Sequence, residues 1–289
     1  MKLVKQFVAL LTVFRSYNLF LLALALYLSA FLILPKHPNF QMLFKPGVHT
    51  MIFCSLLCVA AGYLLNFFYD FERDRLVKPI ATQLSGWVEK KTLLRLYLGL
   101  SILALVMAIT VSFEVFLFFL VYQFLLWLYC HKLNKIMGIN NLAYALLSIF
   151  PFLGLAYRQG NINELILLNG LLLFFAFYQM DLLKDFISAK VDGLYRYKTL
   201  LSGYPVVWVK VFSACMVVLQ VLICYRLYQI DPKFSRYYYL SICLWVIPYL
   251  IYFFTKQNTK NYSTLLWVWK LCMFVGLVIL ILSHINELI

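Results

Sequence analysis

The sequence predicts an all-α polytopic membrane protein, about nine transmembrane helices in one bundle. Three observations predict it. Hydrophobic residues make up 64% of the 289 and charged residues only 12%, where soluble domains run near 45–50% and about 25%. The apolar residues gather into runs of the ~20-residue length that a helix needs to cross a bilayer. The excess of Lys and Arg, 25 against 11 Asp and Glu, sits in short hydrophilic gaps between those runs, which suits topology marking better than nucleic-acid binding.

Taken in order, residues 1–16 place Lys2, Lys5 and Arg15 around apolar positions and read as an amphipathic helix at the membrane surface. Span 1 is expected over Tyr17–Leu34 and is stopped by Pro35. Absence of a small-residue cleavage site makes it a retained helix, not a signal peptide. Span 2 covers His49–Phe68 and span 3 Leu93–Val111. Span 4 ends near Cys130, separated from span 3 by a tight turn around Ser112–Glu114, since the alternative is one implausibly long rod. Span 5 covers Asn141–Tyr157, with a kink expected at Pro151, and span 6 covers Glu164–Met180. Spans 7, 8 and 9 follow over Pro205–Cys224, Tyr237–Phe254 and Thr264–Ser283. With the N-terminus inside, 17 Lys and Arg fall on its side and six on the other. That bias places the N-terminus in the cytoplasm and the C-terminus outside. Lys210 and Lys270 lie inside spans but close to an edge, where a lysine can snorkel. The seven cysteines are scattered through apolar runs and read as small hydrophobes.

Two gaps carry nearly all the Asp. The first lies in Leu64–Pro79, LLNFFYDFERDRLVKP, where Asn66, Asp70 and Asp74 are spaced by four and share a helix face. The second places Asp181, Asp185, Ser188 and Asp192 at spacings of 4, 3 and 4, again one stripe. Carboxylates and an amide oxygen are suitable ligands for Mg²⁺, which keeps several waters and bridges to phosphates. Two such stripes facing across a cavity are expected to hold two Mg²⁺ ions around a diphosphate, neutralising oxygens that gain charge as a C–O bond breaks. Basic residues beside them, Lys184, Lys190, Arg196 and Lys198, supply outer phosphate contacts. The plainer alternative is that the acids solvate loops and offset nearby Lys and Arg. Five of the six Asp in two stripes beside a membrane weigh against it.

Both gaps resemble the motifs of the UbiA-type family of intramembrane prenyltransferases. The family's NDxxDxxxD is met by Asn66, Asp70 and Asp74, with Phe67 where Asp is usual. Its KDxxDxxGD is met by Lys184, Asp185 and Asp192, with Ser188 replacing the middle Asp and Asp181 one turn earlier as a substitute carboxylate. A third resemblance lies in the Tyr129–Asn141 connection, which carries Tyr129, Lys132, Gly138 and Asn141. The resemblance implies a nine-helix bundle with a cytoplasm-facing central cavity, forming a single domain over 1–289. It implies Mg²⁺-dependent transfer of a prenyl group from a prenyl diphosphate to a hydrophobic or amphipathic acceptor, in the bacterial inner (plasma) membrane. Catalytic residues are then expected at Asp70, Asp74, Asp185 and Asp192, and metal ligands at Asn66, Asp70, Asp74, Asp181, Asp185 and Asp192. Arg73, Lys78 and Lys132 join the diphosphate contacts. Tyr69, Tyr129, Asn141, Tyr178 and Ser188 are expected around the prenyl chain and acceptor, where aromatic rings shield and stabilise an allylic cation. For the tyrosines, an interfacial belt or simple packing is an equally good reading, and for Asn140 and Asn141 the default is a helix cap. A transporter, or a family member that has lost catalysis through Phe67 and Ser188, stands as the alternative. Acids at span ends, away from the midplane, favour the enzyme over the transporter.

Overall fold

A computed structural model describes residues 2–35, 44–160, 162–230, 236–255 and 259–288. Lys36, Lys233 and Lys256, three of the residues in the charge count, lie outside the described residues. Among the described residues the secondary structure is helical, and nine helices are long and apolar enough to cross a membrane. They coincide with the nine expected spans, and the surface helix expected at the start is α1 (Lys2–Val13). The helices form two compact units, one from α1–α6 and one from α7–α12.

In the first unit, α3 (Pro46–Val77) is the central element and touches α2 (Ser16–Leu28), α4 (Pro79–Ser85), α5 (Lys90–Ile109) and α6 (Phe113–His131). Pro46 opens α3 at a position where the missing N–H costs nothing, and Pro79 helps end it by disfavouring helix at Lys78. Its 32 residues make a helix about 48 Å long, well beyond the ~30 Å of hydrocarbon. The surplus turns carry Asn66, Asp70 and Asp74. Polar side chains join the three longest helices: the Cys54 thiol donates to the Ala104 carbonyl at 3.3 Å, and Gln123 Nε2 donates to the Ser101 carbonyl at 3.0 Å. The expected hairpin between spans 3 and 4 is present, and Ser112 caps α6 by accepting the Val115 N–H at 3.2 Å. Helix α1 packs Ala9 and Val13 against Leu64, Val88 and Leu93.

The second unit repeats the plan. Helix α8 (Glu164–Leu194) is 31 residues long and is touched by α7 (Ile139–Gln159), α9 (Leu200–Gly203), α10 (Val206–Ile230) and α12 (Thr259–Leu288), with α11 (Arg236–Thr255) between α10 and α12. Asn163 caps α8 through the Ile166 N–H at 3.0 Å. Pro151 lies inside α7 and Pro248 inside α11. A polar knot pins α8 to α10 and α11. Gln179 Nε2 donates to the Ser213 carbonyl at 2.7 Å, while Gln179 Oε1 accepts from Ser213 at 2.8 Å and from Tyr249 at 3.3 Å.

Lys210 finds a protein partner: it is buried, and its ammonium donates to the Phe253 carbonyl at 2.8 Å beneath the rings of Phe253, Phe254 and Tyr262. Phe253 lies in the last turn of α11, where carbonyls lack intrahelical partners and attract cations. That partner, 43 residues away in sequence, holds the charge inside.

Close approach of α11 and α12 depends on Gly276, where an added Cβ would stand 2.9 Å from the Tyr238 ring. Gly276→Val is expected to destabilise the protein by about 1–3 kcal/mol, the usual cost of overpacking. Thermal denaturation in detergent checks this, and an unchanged midpoint would refute it.

Candidate functional site

The extra turns of α8 present the second acidic stripe to α7. Asp181, Asp185, Ser188 and Asp192 are all buried on one face. Facing them, α7 opens at Gly138, whose φ of 76° suits glycine. Ile139 follows, and then Asn140 and Asn141 complete the first turn. Gly138 occupies the cap position, so neither asparagine caps the helix as the sequence suggested. Their side chains turn to the carboxylates instead. Asn141 Nδ2 donates to Asp181 Oδ2 at 3.1 Å and to Asp185 Oδ2 at 2.9 Å, and Asn140 Nδ2 donates to Asp185 Oδ2 at 3.2 Å. Asn140 is 4% exposed and Asn141 0%. The Oδ1 atoms of both are buried with no hydrogen-bond partner among the described residues.

Lys184 completes this cluster. Its ammonium lies 3.2 Å from Asp181 Oδ1 and 3.8 Å from the centre of the Tyr144 ring, one turn along α7 from the asparagines. Ser188 and Asp192 form a pair of their own, the hydroxyl lying 2.7 Å from Asp192 Oδ2 and 2.9 Å from the Lys184 carbonyl. Ser188 therefore contacts Asp192, and the Asp181–Asp185 pair takes the asparagines. Tyr178, one turn before Asp181, packs its ring against Phe174 and Phe212. Lys190, Arg196 and Lys198 are exposed at the end of α8 and in the loop after it. Lys198 N–H donates to the Lys135 carbonyl at 3.3 Å, and the Lys135 ammonium lies over the Tyr197 ring, which tie the two loops of this unit together.

The first stripe, in the other unit, is organised by alternating charge along α3. Asp70 is 4% exposed, with Arg73 4.0 Å away. Arg73 is also 3.8 Å from Asp74 Oδ1, and Lys78 reaches Asp74 Oδ2 at 3.3 Å. Asn66 is half-buried on the same face. Phe67 faces elsewhere, its ring meeting those of Phe68 and Phe71. Tyr69 is partly exposed and its ring meets His131, which in turn stacks on Trp127. Tyr129 is half-buried near the end of α6, and Lys132 is exposed just beyond it.

Sequence reasoning took Asn140 for a helix cap and overlooked Tyr144. Their partners on α8 are some 40 residues away, so no local spacing announces them; the one signal was a pair of adjacent asparagines two and three residues after a glycine. Among the described residues no group of three or more His, Cys, Asp or Glu is arranged to hold a metal alone. Mg²⁺ asks for less: one or two carboxylates, several waters and phosphate oxygens. Two carboxylates with two unpartnered buried amide oxygens fit that demand, as hard, oxygen-only donors.

The fold and these oxygen-rich helix ends define a polytopic, all-α integral membrane protein with polar clusters at the ends of two over-long helices. The chain belongs to the UbiA prenyltransferase family, whose model matches residues 21–278. It is similar to digeranylgeranylglyceryl phosphate synthases from Thermococcus sibiricus, 31% identical over 151 residues, and from Methanosphaera stadtmanae, 26% identical over 141. The aligned stretches take in 51% and 48% of this chain and 51% of each relative. The chain thus spans about half the length of the curated relatives it matches. Among solved structures it resembles one described for digeranylgeranylglyceryl phosphate synthase, with a TM-score of 0.69, 20% identity and coverage of 96% of this chain and 98% of that one. A UbiA homologue from Archaeoglobus fulgidus bound to GPP and Mg²⁺ gives 0.68 at 11% identity over 94% and 99%. An apo UbiA homologue from Aeropyrum pernix K1 gives 0.65 at 13% over 95% and 98%. At these identities the likeness is one of fold.

Proposed function

We propose that the protein is a prenyltransferase that depends on Mg²⁺ and moves a prenyl group from a prenyl diphosphate to an acceptor held in the membrane. The observation that carries this reading is the buried cluster of Asp181, Asp185, Asn140 and Asn141 in a chain of this family. Asp181 and Asp185 in the second stripe, and Asn66, Asp70 and Asp74 in the first, would hold Mg²⁺. When bound, it supplies positive charge to the diphosphate oxygens as the leaving group departs. Lys184, already poised by Asp181 and Tyr144, contributes a cation to the same oxygens, as do Arg73 and Lys78 beside the first stripe. The exposed Lys132, Lys190, Arg196 and Lys198 gather the anionic headgroup from water. Asp192, held by Ser188, adds a further carboxylate one turn beyond.

In the reaction, the bond between the allylic carbon and diphosphate oxygen breaks and its electron pair leaves with diphosphate. The acceptor's nucleophilic atom donates a pair to that carbon and then loses its proton to solvent. Tyr69 and Tyr178 lie close to the acids in sequence and Tyr129 lies in the connection that carries the third motif; the three would keep water from the cation and stabilise it. The names of the relatives support a glycerol phosphate lipid as the acceptor and a geranylgeranyl donor. The Lys and Arg bias supports a cytoplasmic N-terminus and both acidic stripes on the cytoplasmic side of the plasma membrane, with the C-terminus outside.

The test is purified protein in detergent with radiolabelled geranyl, farnesyl or geranylgeranyl diphosphate, Mg²⁺, and acceptors headed by a geranylgeranylglyceryl phosphate lipid. Label transfer is expected with Mg²⁺, falls to background in excess chelator and returns when Mg²⁺ is restored. Lack of transfer, of diphosphate release and of donor binding with every donor would sink the proposal.

A further inference from the structure

We infer that Asn140 and Asn141 belong to the divalent-cation site itself, holding Asp181 and Asp185 together and offering their two unpartnered side-chain oxygens as ligands. The inference rests on the metal-dependent reading above and says which residues of this chain make its second half.

Chemistry of the amide carries the argument. Each asparagine has a donor end and an acceptor end, and here the ends have different fates. The Nδ2 atoms are spent on carboxylates, with one nitrogen of Asn141 bridging both. Two carboxylates side by side repel, and a bridging N–H₂ group offsets this before any cation arrives. The Oδ1 atoms of both residues are buried and have no hydrogen-bond partner among the described residues. A buried acceptor left without a hydrogen bond is costly, and here two stand in adjacent residues beside an acidic pair. A stabilising role alone explains the donor ends but leaves the acceptor ends unexplained. A cation answers both: it takes the amide oxygens, and the carboxylates are already gathered for it.

The arrangement also gives the Ser188 departure a consequence. With Ser188 on Asp192, the second stripe divides into two pairs. The pair nearer the membrane, Asp181 with Asp185, has recruited α7 in place of the absent middle carboxylate. Tyr144 extends the same face and keeps Lys184 against Asp181.

The experiment is a Mn²⁺ titration of the full chain in detergent, read from the loss of the free-ion paramagnetic resonance signal, alongside the label-transfer assay. Asn140→Leu and Asn141→Leu are each expected to weaken Mn²⁺ binding about tenfold or more, the usual scale for groups that position metal ligands. Asn141→Asp keeps an oxygen in place and adds charge, so it is expected to hold Mn²⁺ at least as well as the wild type while lowering the melting temperature without metal. Should a leucine variant fail to give a monodisperse protein, the aspartate variant decides: retained binding supports the site and lost binding overturns it. Wild-type affinity in both leucine variants overturns this inference while leaving a wild type that transfers label with its function intact. A wild type that neither binds Mn²⁺ nor transfers label overturns both.

Discussion

Asp185→Asn is expected to lower prenyl transfer about a hundredfold to a thousandfold, the scale seen when one electrostatic group aimed at a developing charge is removed. The substitution keeps the side chain's shape and one oxygen for the asparagines of α7, so the cost falls on the charge. Asp185 is the hub of the cluster: it accepts from Asn140 at 3.2 Å and from Asn141 at 2.9 Å on the same oxygen, and is 6% exposed. Replacing it with Ala would also strip both amides of an acceptor and confuse a structural loss with a chemical one. Asn separates them. The melting temperature should change little while transfer collapses, and Mn²⁺ binding should weaken with it. Transfer within threefold of wild type would remove Asp185 from the reaction.

Asp70→Asn is the second large effect, again a loss of about a hundredfold or more in transfer. Here the competing account is that the acids of α3 only solubilise a helix end and balance Arg73 and Lys78. That account makes its own prediction. The pairs involved, Asp70 with Arg73 at 4.0 Å, Arg73 with Asp74 at 3.8 Å and Lys78 with Asp74 at 3.3 Å, are of the i, i+3 or i, i+4 kind or adjacent along the helix. Exposed pairs of the i, i+4 kind are worth about 0.3–0.5 kcal/mol each. A solubilising role therefore predicts a slightly lower melting temperature and unchanged transfer. The proposed function predicts the reverse weighting, a small stability change with transfer nearly gone. Measuring both on the same preparation separates the accounts, and full activity in Asp70→Asn would leave the first stripe without a catalytic part.

Both predictions draw on residues that helical periodicity had already singled out. Asn66, Asp70 and Asp74 share a stripe because four residues make just over one helical turn, and the same holds for Asp181, Asp185, Ser188 and Asp192. The nine helices were legible for a related reason. In a bilayer every backbone polar group must be satisfied within its own segment, so a 20-residue apolar run has few options besides a helix. The caps Ser112 and Asn163 are equally local, each needing only the next three residues, but the sequence reading named neither as a cap.

What escaped were contacts between helices. Asn140 and Asn141 look like cap residues until α8 places two carboxylates in front of them. Lys210 shows nothing of its partner until α11 supplies the Phe253 carbonyl and a roof of aromatic rings. Ser188 looks like a lost ligand until its hydroxyl is seen on Asp192. The sequence by itself determined where this chain is helical, that it is an integral membrane protein, and which face of α3 and of α8 carries its acids. Each of these depends on residues within a turn or two of one another, or on the length of a run. Only the tertiary structure decided which carboxylates are paired and with what. A side chain's partner is whatever the neighbouring helix brings within 3 Å or so, and packing sets that neighbour across some 40 residues of intervening chain.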